Sequence, residues 1–87
     1  MLFHITYEFL PSERDDAQRR FKATGAPPPN SVAMHGRWHS AAGHLGFVVA
    51  ESSSTVAIAR WMQDWTDLLS FEITPVLTDE EITDVIG

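Results

Sequence analysis

Three histidines and one arginine carry the chemistry of this sequence. His35, Arg37 and His39 recur at every second position, and His4 sits in a second stretch of the same period. A guanidinium can clamp a carboxylate through two parallel hydrogen bonds. An imidazole beside it can take up or release a proton near neutral pH. Glu8 and Glu72 are the acids placed to answer them. As extended chain, His35 and His39 stand about 13 Å apart at roughly 3.3 Å per residue, too far to chelate one ion. A cation between them would also sit over the Arg37 charge. No metal and no cofactor are therefore expected, and the better expectation is a site for a small anionic or polar organic ligand. The alternative is a polar patch, solvated or buried between two copies, with Arg37 paired to Glu8 or Glu72.

Other constellations explain themselves structurally. Ser52-Ser53-Ser54 lacks the strand–turn–helix setting of a nucleophile and suits helix capping. Trp61, Met62 and Trp65 have the spacing of a core stripe, and Asp64, Asp67 and Glu72 read as a solvated helix end. No glycine-rich loop is present to cradle a phosphate. Cysteine is absent, which removes disulfides, thiolate metal sites and cysteine nucleophiles together. The net charge is −6, so nucleic acid and anionic membrane are disfavoured partners. The chain opens on Leu2-Phe3-His4-Ile5 with no basic stretch or cleavage pattern, and no apolar run approaches the ~20 residues of a membrane span. A cytoplasmic protein is the expectation. At 87 residues the chain fits a single domain with a small core, and such domains often gain stability by association.

The elements that must position these residues follow from periodicity. Leu2 to Phe9 alternates strictly, with Phe3, Ile5, Tyr7 and Phe9 on one face and His4, Thr6 and Glu8 on the other. Pro11 ends this strand, and Ser12 is placed to cap a helix running to Thr24, with Gly25 as its stop. Ala26-Pro27-Pro28-Pro29-Asn30 reads as an extended connection. Val32 to His39 and Leu45 to Glu51 then form a hairpin. A four-residue turn pairing His39 with His44, Trp38 with Leu45 and Gly36 with Phe47 gathers the large apolar groups on one face. The spacing of Ile58, Trp61, Met62, Trp65, Leu68 and Leu69 predicts a helix over 55–68. Ser70 to Leu77 is a last strand, and Pro75 assigns it to an edge. Thr78 with Glu81 is a capping box opening a short terminal helix.

Two β-α-β units with right-handed crossovers give an α+β, ferredoxin-like sandwich, β-α-β-β-α-β, with antiparallel order 4-1-3-2. Both helices cover one face. Alternation assigns His4, Glu8, His35, Arg37, His39 and Glu72 to the uncovered face, with Gly46, Val48 and Ala50 lining a shallow groove between them. That face lacks the exposed aromatics that RNA binding across a sheet requires.

Several stretches resemble a bacterial family of short proteins known as a domain of unknown function. They are Met1-Leu2-Phe3 with Thr6-Tyr7, Thr24-Gly25-Ala26-Pro27-Pro28-Pro29, Gly36-Arg37-Trp38-His39, and Trp65-Thr66-Asp67-Leu68-Leu69 running on through Phe71-Glu72-Ile73-Thr74-Pro75-Val76-Leu77. The resemblance implies the dimeric α+β barrel type of ferredoxin-like fold, in which two open sheet faces meet. It implies no activity. Monooxygenases, muconolactone-type isomerases and haem-degrading enzymes share the fold by analogy alone. Two expectations follow. One is a small-molecule-binding homodimer, an enzyme or not, with Arg37, His35 and His39 lining a pocket between the two sheets. The other is a structural or interaction module without pocket chemistry.

Overall fold

Apolar residues at every second position build four strands, and two helical segments with an apolar stripe pack across one side of them. The computed structural model describes all 87 residues. The elements are β1 (Leu2–Glu8), α1 (Arg14–Thr24), β2 (Ala33–His39), β3 (Leu45–Glu51), α2 (Thr55–Gln63), β4 (Ser70–Val76) and α3 (Asp79–Ile86). The strands form one antiparallel sheet ordered β2-β3-β1-β4, which is the expected 4-1-3-2 order read from the other side. Pro75 accordingly lies on an edge strand. No helix is long and apolar enough to cross a membrane.

The core lies between α2 and the sheet. Phe3 and Ile5 of β1, Val48 and Ala50 of β3, and Ile58, Trp61 and Met62 of α2 are buried together with Val32. Helix α2 ends earlier than its apolar pattern predicts. Asp64, Thr66 and Asp67 compete for nearby backbone groups and weaken a helix; the Thr66 hydroxyl donates to the Gln63 carbonyl at 3.1 Å. The chain continues in tight turns, with Trp65 N bonding Met62 O at 2.9 Å and Leu68 N bonding Trp65 O at 3.0 Å. The apolar phase survives, so Trp65 is still buried.

Caps agree with the sequence at three ends. Ser54 caps α2 by accepting from Ala57 N at 3.1 Å. Gly25 ends α1 with φ 72°. Thr78 and Glu81 form the reciprocal capping box of α3, with bonds of 3.1 and 3.2 Å. Ser12 does not cap α1. Residues 11–13 form a turn closed by Glu13 N on Leu10 O at 2.8 Å, and Glu13 occupies the cap without a side-chain bond.

The hairpin differs from its predicted register. Trp38 pairs with Phe47, Arg37 with Val48 and His39 with Gly46, and the register shifts between Met34 and Gly36. His35 is the extra residue of a β-bulge, and a bulge inverts facing beyond it. Met34 still points to the core. Arg37 and His39 then share the helix-covered face with Val48 and Tyr7, while Trp38 shares the open face with Phe47. Strand β3 is inverted too. Gly46, Val48 and Ala50 are buried against the helices, and Leu45 and Phe47 face outward. Small residues take the inner face here because bulky neighbours from β1 and α2 fill the space. A Cβ at Gly46 would collide with the Tyr7 phenol.

Trp65 joins the turn after α2 to the covered side and is only 9% exposed. Trp65→Ala is expected to lower stability by about 3–5 kcal/mol in urea melts. A loss below about 1 kcal/mol would place the indole outside the core.

Candidate functional site

Helix α1 stands off from the sheet. Only Ala17 among its residues is buried, and Phe21 is 36% exposed. The gap beneath it is a cavity of about 440 Å³, within the range of small-molecule sites. Ala17 and Phe21 form its roof, Val48 and Phe71 its floor, and Trp61, Met62 and Trp65 its inner wall. Its polar groups are few: Tyr7, Arg37 and His39 come together at one side, with Gln18 and Ser40 beyond them.

The bulge at His35 supplies two of these three. Past it, Arg37 reaches under the end of α1 and donates to the carbonyl oxygens of Ala26 and Gly25, both at 2.8 Å. Its guanidinium carbon lies 4.8 Å from the Phe21 ring centre, a cation–π contact. The His39 ring meets Phe21 edge-on at 5.3 Å. Half-burial lowers the Arg37 pKa, with the nearby Tyr7 opposing the shift. No carboxylate stands within ion-pair distance of it. A partly desolvated cation matched by carbonyl dipoles and an aromatic face, with no carboxylate, is an unfinished charge pair.

Tyr7 completes the group. Its hydroxyl bonds to Nδ1 of His39. Burial pushes the phenol's pKa up, and the Arg37 charge offsets this only in part. The phenol therefore keeps its proton at neutral pH, and the bond to the imidazole can run in either direction according to the His39 tautomer. Sequence periodicity shows Tyr7 only as a core-facing residue. Its partner lies 32 positions away, so no local signal marks the pair.

The predicted cluster does not assemble. Arg37 and His39 face the helices, whereas His4, Glu8 and Glu72 lie on the open side, where Thr6 pairs with Glu72. The expectation that Arg37 and His39 line a cavity between two open sheet faces is corrected by the bulge, which turns both away from that face. His35 instead bonds Glu51 at 3.1 Å, and His4 packs against Phe47 at 5.3 Å between ring centres. Arg37 pairs with neither Glu8 nor Glu72. No three His, Asp or Glu side chains converge as metal ligands. The open face is also more aromatic than expected: Trp38 stacks on Phe47 at 5.1 Å, and its indole occupies the space where a Cβ at Gly36 would lie.

A clasp joins α1 to the turn after α2. Arg20 of α1 donates to both carboxylate oxygens of Asp67 at 2.8 and 2.6 Å and to the Asp64 carbonyl at 3.0 Å. Its guanidinium also lies 5.2 Å from the Trp65 ring centre. Asp67 thus ties α1 to the turn after α2, beyond the solvated role its spacing suggests.

The family described as Domain of unknown function (DUF3303) matches residues 1–87, and the chain belongs to it. No curated protein matches the chain.

The hydrogen bond from Arg20 holds Asp67 below its ordinary carboxylate range. A depressed folded pKa means the tie is complete above the unfolded value, near 3.9, and is lost as pH falls through the lower folded value. The Trp65 indole N–H resonance is expected to move below about pH 4. In Asp67→Asn it should occupy the released position already at neutral pH. Matching acid titrations for the two proteins would remove Asp67 from this role.

Proposed function

We propose that this protein binds a small molecule with an apolar body and an anionic head, held between α1, α2 and the sheet, and that it works as a homodimer through its open sheet face. The observation that carries the reading is Arg37, a half-buried guanidinium without a carboxylate partner, beside an apolar cavity of about 440 Å³. A ligand carboxylate at that position would complete the charge pair, and its body would replace the empty space among Phe21, Met62 and Trp65. Apolar lining with few convergent polar groups is the usual form of such sites. The Tyr7–His39 pair beside Arg37 can pass one proton to or from a bound anion, so the cavity holds parts for acid–base work, though binding is what the geometry supports best. Outward-facing Trp38, Leu45 and Phe47, at 50, 41 and 38% exposure, support burial of the open face by a second copy.

A second reading has its own observation. The two bonds from Arg37 to Gly25 and Ala26 lie at the C-terminal end of α1, where a cation is favoured by the helix dipole. On that reading the guanidinium only fastens α1 to β2, and the chain is a structural or interaction module.

Thermal melts with 1-naphthoate separate the two. Wild type is expected to gain several degrees at saturating ligand, since ~100-fold excess over Kd adds about 2.7 kcal/mol. The neutral isostere 1-naphthalenemethanol should give less. Arg37→Gln, which keeps donors for the two carbonyls, should melt near wild type without ligand and lose the naphthoate shift. No shift in wild type with naphthoate or with a medium-chain fatty carboxylate, together with a large drop in the ligand-free melt of Arg37→Gln, would assign Arg37 to fastening alone.

A further inference from the structure

Helix α3 is specified by its sequence and left unpacked by its own chain. Its capping box is complete, and Ile82, Val85 and Ile86 fall at the i, i+3, i+4 spacing of one apolar edge. Yet none of its residues is buried; Ile82, Val85 and Ile86 are 40, 68 and 78% exposed, and Leu77 before it 53%. An isolated helix this short is unstable in water unless something covers its apolar side. The molecule is drawn out to 48 × 27 × 17 Å with a radius of gyration of 14.2 Å, against about 12 Å for a compact chain of this length.

The same chain exposes a second apolar surface. Trp38, Leu45 and Phe47 form a strip on the open sheet face, at the end where Leu45 pairs with Glu8 and Glu8 with Ser70. Strand β4 leaves the sheet at the other end, where Val76 pairs with Leu2. The arm therefore starts about 13 Å along the strands and about 10 Å across them from the strip. Only Leu77 separates β4 from the Thr78 cap, and α3 does not cover its own strip, since Ile82, Val85, Ile86, Trp38, Leu45 and Phe47 all stay exposed.

We infer that α3 is an exchanged arm: in the homodimer, Ile82, Val85 and Ile86 of each copy cover the Trp38, Leu45 and Phe47 strip of the other. This rests on the homodimer proposed above. Two open faces meeting about a twofold axis perpendicular to the strands bring the Val76 end of one sheet over the Phe47 end of the other. Each copy has one arm and one strip, so a symmetric exchange satisfies both and closes the assembly. Area points the same way. Four strands of seven residues offer a footprint of roughly 400 Å², short of the ~800 Å² each partner of a standard interface buries; the two arms, each about 12 Å long, supply the remainder. Charge removes a membrane as the occupant. Asp79, Glu80, Glu81 and Asp84 give α3 four acids and no base, whereas helices that lie on lipid surfaces are rich in Lys and Arg.

The absence of cysteine allows a direct test in the full-length chain. Val85→Cys and Leu45→Cys proteins are mixed, allowed to exchange subunits, and oxidised. The expected product is the mixed disulfide dimer, formed at least tenfold in excess of either like-with-like dimer. In parallel, sedimentation should show wild type as a dimer at tens of micromolar (a rough working range), and Val85→Asp with unchanged circular dichroism and at least tenfold weaker association. A dimeric wild type with neither effect overturns the arm and leaves the homodimer standing. A disulfide that forms only inside the doubly substituted chain shows that α3 folds back on its own copy. A monomeric wild type overturns the homodimer and the arm with it, and assigns α3 to a foreign partner.

Discussion

One extra residue in β2 decides what each face of this protein can do. Strand side chains alternate with a period of two, so the bulge at His35 hands every later position to the opposite face. Without it, Arg37 and His39 would continue on the solvent side. With it, they lie under α1 beside Tyr7, and Trp38 takes their place outside. The cavity's charge, the Tyr7–His39 hydrogen bond and the place of Trp38 on the open face all descend from that one insertion.

Layer spacing depends on it as well. Arg37 and His39 stand between α1 and the sheet, and Phe21 rests on both of them. Helix α1 is thus held at its C-terminal end by two carbonyl bonds from Arg37 and along its length by the Arg20–Asp67 clasp. Exposed ion pairs contribute little to stability, so the clasp positions the helix more than it stabilises the fold. Burial is concentrated under α2, where Ile58, Trp61 and Met62 meet Phe3, Ile5, Val48 and Ala50. The result is a firm half under α2 and a hollow half under α1.

Most of the architecture was legible from residue spacing, because each element carries a local signal. Strict alternation marked β1, Pro75 marked an edge strand, Gly25 marked the end of α1, and Thr78 with Glu81 marked α3. The facing of the hairpin was not legible in the same way. Gathering Trp38, Leu45 and Phe47 inside is the sound choice for hydrophobic burial within one chain, and the protein does the reverse. The available hint was Gly36 in a strand interior, which often marks a bulge or a close approach; here the bulge precedes it and Trp38 lies across it. Of the residues singled out for chemistry, Arg37 and His39 stay together, while His4, Glu8 and Glu72 belong to the other side of the sheet and His35 bonds Glu51. Tyr7 and Asp67 carried no local mark, since their partners are distant in the chain and become neighbours only through the fold.

Large apolar groups facing outward on a chain this small are a cost unless a partner removes them from water. We therefore propose that the open face and α3 serve association, and that the helix side, with its unfinished charge at Arg37, serves a ligand. Separating these two roles is the central claim, and intermolecular nuclear Overhauser contacts with protein saturated in 1-naphthoate test it most directly. The account predicts contacts from the naphthyl protons to Phe21, Met62 and the Arg37 side chain. Contacts to Trp38 and Phe47 instead would place the ligand on the open face and contradict it.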